Sequence, residues 1–243
     1  MILINGVTGA IGSEYVKLAT SQGIKVAGIG RNPSKIAELA TAYKQGYFLE
    51  VSDIGSEQEA DTLVKKIENH FGEGISQYLH TAAILTRSNS PLETTLSDFR
   101  ETLEINLVGA FVWNKTVISS MISHSISGSI VNVASQAART GGFGGTTSYA
   151  SPKGGLVTLS KTFARYAAKH NIRVNSISPG FVDNEMMTNG LTEQQVSFFS
   201  EKTSLKRLAT NYEIANVCKF LLSDESSYIL GENVEVSAGQ VLG

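Results

Sequence analysis

Seven short apolar runs, each of strand length and separated by stretches of helical spacing, follow one another along this 243-residue chain. The runs are Ile2–Ile4, Ile24–Ile29, Gly46–Val51, Gln77–Ala83, Ser129–Ala134, Ile172–Ile177 and Asn233–Val236. Between them, apolar residues return every three or four positions, the mark of a helix with one buried face. Tyr15, Leu18 and Ala19 follow the first run, and Leu63, Ile67 and Phe71 follow the third. Leu103, Leu107, Ala110 and Val117 mark a long helix after the fourth, and Leu156, Leu159, Phe163 and Tyr166 another after the fifth. Such alternation predicts an α/β fold: a mostly parallel seven-stranded sheet with helices on both faces. No repeat, low-complexity segment or charged linker interrupts the pattern, so residues 1–243 read as one domain, with Gly141–Gly145 as a mobile loop.

Composition removes several function classes. Twenty basic residues against 22 acidic leave a net charge of −2, which supplies no bulk attraction for nucleic acid or an anionic membrane. Cys218 is the single cysteine, and four histidines show no metal-ligand spacing, so neither a disulfide nor a metal is expected. No run approaches the roughly 18 apolar residues of a membrane span, and the N-terminal residues do not read as a signal peptide. The expectation is a cytoplasmic protein.

Two constellations carry chemistry. Asn5-Gly6-Val7-Thr8-Gly9-Ala10-Ile11-Gly12 follows the first strand and opens the first helix. Glycines there allow a tight turn and close backbone approach to a pyrophosphate, which the free N–H groups of the helix terminus would hold. The second strand ends Gly28-Ile29-Gly30-Arg31-Asn32, without the carboxylate that would accept from an NAD ribose. Arg31 can instead neutralise a 2′-phosphate, with Asn32 as a further donor, which favours NADP(H) over NAD(H). Further along, Tyr149 and Lys153 are four residues apart on one predicted helix face. Such a pair alone means little; its weight comes from Ser135, at the carboxyl end of a strand, where open α/β sheets bind ligands.

Taken in order, these stretches resemble the short-chain dehydrogenase/reductase family, in its single-domain form of about 250 residues. Besides the glycine-rich turn, the similar segments are Leu79–Ala83, Glu104–Gly109, Gly128–Ser135, Tyr149 with Lys153, Arg173–Gly180 and the tail from Arg207 to Gly239. The resemblance implies a doubly wound Rossmann-like fold and an NADP(H)-dependent exchange between a small-molecule carbonyl and a secondary alcohol. It makes Tyr149 the proton donor or acceptor, and Lys153 the group that lowers the phenol pKa and holds the nicotinamide ribose. Ser135 would bind the substrate oxygen, and Asn106 would hold a water linking Lys153 to solvent. Cofactor contacts would come from Gly6, Thr8, Gly9, Ile11, Gly12, Arg31, Asn32, Val51, Ala82, Tyr149, Lys153, Pro179, Gly180 and Val182. A homotetramer or homodimer paired through the long helices is also implied.

Departures from the family pattern matter. Asn5 stands where threonine is usual and Ala10 where a glycine is usual, so the glycine spacing resembles the extended branch of nucleotide-sugar epimerases and dehydratases. His80-Thr81-Ala82-Ala83 replaces Asn-Asn-Ala-Gly; His80 is read as a packed residue, not a catalyst. Glu50 replaces an aspartate near the adenine, and Asn184 a threonine near the carboxamide. Pro152 lacks an N–H and should sit in the first turn of its helix or distort it. An epimerase or dehydratase, or an inactive cofactor-binding protein, are the alternatives; intact Ser135, Tyr149 and Lys153 speak against the last. The segment Asn184–Ser204, with Met186, Met187, Leu191, Phe198 and Phe199, lies where the family carries its substrate lid, so a partly apolar substrate is expected.

Overall fold

A computed structural model describes residues 1–143 and 145–241; Gly144 of the Gly141–Gly145 tract, Leu242 and Gly243 lie outside the described residues. Seven strands form one sheet: β1 (Ile2–Asn5), β2 (Val26–Gly30), β3 (Tyr47–Glu50), β4 (Gln77–His80), β5 (Gly128–Val133), β6 (Ile172–Pro179) and β7 (Asn233–Val236). Their order is β3-β2-β1-β4-β5-β6-β7, and each neighbouring pair is parallel. Every strand run read from the sequence is present, with ends shifted by up to three residues. The strand order reverses between β1 and β4, which opens a crevice at the carboxyl ends of the central strands.

The helices are α1 (Ala10–Ser21), α2 (Pro33–Ala42), α3 (Glu57–Phe71), α4 (Leu96–Leu103), α5 (Gly109–Ser123), α6 (Ala137–Thr140), α7 (Thr147–Ala167), α8 (Glu185–Thr188), α9 (Glu193–Glu201) and α10 (Asn211–Leu222). Their ends follow from local chemistry. Ser56 and Thr95 cap α3 and α4 by accepting from the N–H groups of Glu59 and Asp98, and Gly72 ends α3 in the left-handed region at φ 66°. Thr192 with Gln195 and Thr210 with Glu213 close reciprocal caps on α9 and α10.

Both faces of the sheet are covered, which is why all four residues of β1 and all five of β2 are buried. On one face Trp113, Val117 and Met121 of α5 and Leu63 and Ile67 of α3 pack over Leu3, Tyr78 and Ile130. On the other, Tyr15 and Val16 of α1 and Ile214, Cys218 and Leu221 of α10 cover Ile2, Ile4, Leu79 and Val131. Each large side chain so buried contributes roughly 1.5–3 kcal/mol.

Helices α4 and α5 are joined by a π-helical turn, Glu104–Val108, into a continuous helix from Leu96 to Ser123. This helix corrects one expectation, because by length and apolarity it is able to cross a membrane. Its most apolar stretch is 61% buried inside the protein, and it carries Asn114, whose side chain donates to Ala110 O at 2.8 Å and to Asn132 Oδ1 at 2.9 Å. It is a core helix. Pro152 lies beyond the first turn of α7, which leaves the second of the two expectations: the Ser148 carbonyl lacks its usual helical donor there.

Candidate functional site

The first turn of α1 is built around three glycines. Gly6 has φ +88°, and a Cβ on it would fall within 3 Å of the Ala82 backbone and of Thr81 Oγ1. A Cβ on Gly12 would run into the Gly6 carbonyl. Gly9 is the N-cap of α1 and has no side chain to occupy the free N–H groups, and no acidic residue lies in that turn. The end of α1 therefore offers N–H donors and a partial positive charge to an anion, with Thr8, Gly9, Ala10 and Ile11 on the wall of a cavity of about 930 Å³. The cradle fits the pyrophosphate of a dinucleotide.

Across the same cavity stand Ser135, just beyond β5, and Tyr149 and Lys153 of α7. Ser135 Oγ accepts from the Ala137 N–H at 3.1 Å. Burial raises the Tyr149 phenol above its ordinary pKa, against a lowering by its hydrogen bond with Ser135. Lys153 is almost wholly enclosed and donates to Val133 O at 2.6 Å, with Nζ 5.7 Å from the centre of the Tyr149 ring. Loss of solvent lowers the pKa of its amine to about 7. Pro179, Gly180 and Val182, at the end of β6 and beyond, complete that wall.

Other expected residues lie away from the cavity surface. Gly6 and Gly12 shape the turn from behind, and Val51 is a core residue whose N–H donates to Gly30 O at 3.0 Å. Ala82 packs against the apolar core beneath the turn. Arg31 is exposed beyond β2, and Asn32 caps α2, its Oδ1 accepting from the Lys35 N–H at 3.0 Å. Asn106 sits in the π-helical turn, fully buried, with its Oδ1 accepting from Ile84 N–H at 2.8 Å and its Nδ2 donating to Ile84 O at 2.9 Å. Both polar atoms of its side chain are thus engaged with the Ile84 backbone. His80 is packed as expected, although its partner is a side chain: Nδ1 lies 2.9 Å from the Tyr78 hydroxyl.

Several wall residues were not singled out from the sequence. Lys35 and Glu38 of α2 flank the α1 end, Gln136 follows Ser135, and Phe143 and Phe181 pack with Phe199 of α9 into an aromatic cluster. Met186, Met187, Leu191 and Phe199 of the anticipated lid do line the cavity, whereas Phe198 does not and is 52% exposed. Asn184 caps α8 through the Met187 N–H and donates to Asn211 Oδ1 at 3.1 Å.

A family model described as enoyl-(acyl carrier protein) reductase matches residues 6–240. The chain belongs to the short-chain dehydrogenase/reductase family. It is 31% identical over 243 residues to the 3-oxoacyl-[acyl-carrier-protein] reductase of Escherichia coli strain K12, covering 99% of this chain and 96% of that protein. The enzyme of the same name from Rickettsia typhi is 30% identical over 240 residues, with the same coverage. Among solved structures, a short chain dehydrogenase from Bacillus anthracis superposes with a TM-score of 0.91 at 25% identity, covering 100% of this chain and 97% of that one. Sorbitol-6-phosphate 2-dehydrogenase from Erwinia amylovora shares the fold, with a TM-score of 0.92 at 24% identity over the whole of both chains. The short-chain dehydrogenase/reductase fold and an oxidoreductase character are thereby established. None of these relatives is named an epimerase or a dehydratase, so that reading gains nothing from them.

Proposed function

We propose that this short-chain dehydrogenase/reductase uses NADP(H) to interconvert a small-molecule carbonyl and a secondary alcohol. The observation that carries the reading is the meeting of Ser135, Tyr149 and Lys153 on one cavity whose other end is the glycine turn of α1. A bound nicotinamide supplies or accepts the hydride; the protein does the rest by placing groups and managing one proton. Ser135 orients the substrate oxygen, and Tyr149 gives it a proton in reduction or takes one in oxidation. The phenol needs help, because its ordinary pKa of about 10 is raised further by burial. Lys153, once charged, favours the phenolate, and by the family resemblance it also holds the ribose.

Lys35 supplies positive charge on the wall beside the α1 turn, and Arg31, exposed just beyond β2, would meet an NADP 2′-phosphate there. The named activity of the bacterial relatives makes an oxoacyl group on a carrier one candidate substrate. The cytoplasm is the compartment expected of such chemistry. The groove between α5 and α7, lined by Leu107, Phe111 and Leu159, is the surface through which two copies would pair into a dimer or tetramer.

Two variants test this reading. Tyr149→Phe keeps the ring but removes the transferable proton, so turnover, followed by NADPH absorbance over a carbonyl panel, should fall by roughly 10²–10⁴ with cofactor affinity retained. Near-normal turnover by a folded Tyr149→Phe protein would remove Tyr149 from the chemistry. Arg31→Ala should weaken NADPH by about 1.5–3 kcal/mol in calorimetric titration and leave NADH nearly unchanged. Equal binding of NADH and NADPH by the unaltered protein would overturn the cofactor preference.

A further inference from the structure

One cation on the cavity wall has no part in the hydride and proton chemistry. Arg87, in the segment after β4, reaches across to the lid and donates to three main-chain oxygens: Nη2 to Met187 O at 2.7 Å and Met186 O at 3.1 Å, and Nη1 to Asn189 O at 3.2 Å. A guanidinium has five N–H groups, so two donors remain. Among the described residues no carboxylate comes within ion-pair distance of it. Lys35, the other exposed cation on the wall, faces Glu185 at 4.0 Å.

The position of Arg87 is fixed from both sides. Thr86 before it places its hydroxyl 2.7 Å from Ser148 Oγ, beside Tyr149, and Ser88 after it donates to Gly145 O at 3.0 Å. The guanidinium is thus a tethered charge on the cavity wall with no acidic partner among the described residues, one residue from a contact with the turn that carries Tyr149. The wall that holds both Arg87 and Tyr149 also carries large apolar side chains, Met186, Met187, Phe143, Phe181 and Phe199.

We propose that Arg87 is a specificity-determining residue, which receives an anionic group carried on an apolar chain at a distance from the reacting carbonyl. The inference rests on the carbonyl–alcohol chemistry proposed above and names the substrate class that this site would select. A carboxylate and a phosphate ester share the required chemistry. Because three backbone acceptors already order the side chain, little of its conformational freedom is left to lose when an anion arrives. A neutral substrate of the same length would fill the apolar wall and leave the charge unmet.

The test uses oxoheptanoate with its keto group next to the terminal methyl, its methyl ester, and the corresponding oxoheptyl phosphate. Each is measured for KM and kcat with NADPH, and for binding by calorimetry in the presence of NADP⁺. The expected result is a KM for one or both anions about 10–100-fold below that of the ester, the size of one charge-assisted hydrogen bond. Whichever anion is favoured identifies the group. In Arg87→Met the anion-to-ester ratio should fall to near one, and Arg87→Lys should restore part of it. An unaltered ratio in Arg87→Met, with all three substrates weakened together, would make Arg87 a clamp for α8 only and overturn the proposal, as would no anion preference in the unaltered protein. If the unaltered protein reduces none of the three, the chemistry above fails by itself. Anion-selective binding lost in Arg87→Met would then still support the role of Arg87, and unselective binding would end it.

Discussion

The two ends of the cavity are held together in different ways. At the cofactor end, backbone meets backbone: Gly6 and Gly12 bring the turn so close to Ala82 and to itself that a single methyl group has no place at either. Thr81 Oγ1, just beyond β4, ties that strand to β1 at the foot of the turn by donating to Asn5 O at 2.9 Å, and β1 and β2 are wholly buried. At the substrate end, α8 and α9 contain no buried residue, and their hold on the protein is a set of caps, the Arg87 bonds and a loose aromatic cluster. One end presents a fixed arrangement of N–H groups to a ligand part common to all dinucleotides. The other presents replaceable side chains to whatever the substrate happens to be. That division lets one fold keep its chemistry while its substrate changes.

The sharpest way to break this contrast is to add or remove small groups at each end. Gly6→Ala forces a left-handed backbone on an alanine and pushes its methyl against Ala82, so it should cost about 3 kcal/mol of stability and most of the cofactor affinity. Phe198→Ala in the lid removes far more atoms from a half-exposed site and should cost less than about 1 kcal/mol with cofactor binding intact. Urea unfolding of both variants, with NADPH titration, compares them directly. Equal losses would mean that the lid is as firmly built as the turn.

The same contrast decides what was legible in the sequence. The glycine turn stands out because only glycine tolerates φ +88° and the contacts around it, and those constraints leave a spacing. The alternation of strands and helices was readable because the central strands β1, β2 and β5 are covered on both faces and so are mostly apolar. The lid was located by resemblance alone: Met186, Phe198 and Phe199 on short exposed helices look like any amphipathic segment, and only the coordinates separate Phe199, which faces the cavity, from Phe198, which does not. Lys35 and Arg87 leave no mark in the sequence for a related reason. A loop or first-turn cation is usually solvated, and no local signal says that it will face a cavity built from distant parts of the chain. The bonds of Asn106 to Ile84 are not legible either, because a π-helical turn leaves no mark on the apolar period.

A smaller effect sharpens the contrast further, because the inner wall of the cavity, unlike the lid, buries an amine. Lys153 has its pKa brought down by desolvation to about 7 in the folded protein, against about 10.5 when unfolded. Between those values the unfolded chain binds a proton that the folded one does not, so this residue makes stability rise with pH across that window. Below pH 7 the folded protein must hold the ammonium out of water and bears the whole cost; above about 10.5 neither state is charged and the dependence ends. Lys153→Met removes the titration while keeping an unbranched chain in the space. The difference in Tm between the unaltered protein and Lys153→Met should therefore move in favour of the unaltered protein by several degrees from pH 6 to pH 9, at about 2–4 °C per kcal/mol for a chain of this length. Thr192→Ala, which removes the α9 cap, should show a difference from the unaltered protein that does not change over the same range. Thermal unfolding at three pH values in that range decides it. A flat difference for Lys153→Met would mean that the amine keeps its proton in the folded state, and that the inner wall of the cavity is as wet as the lid.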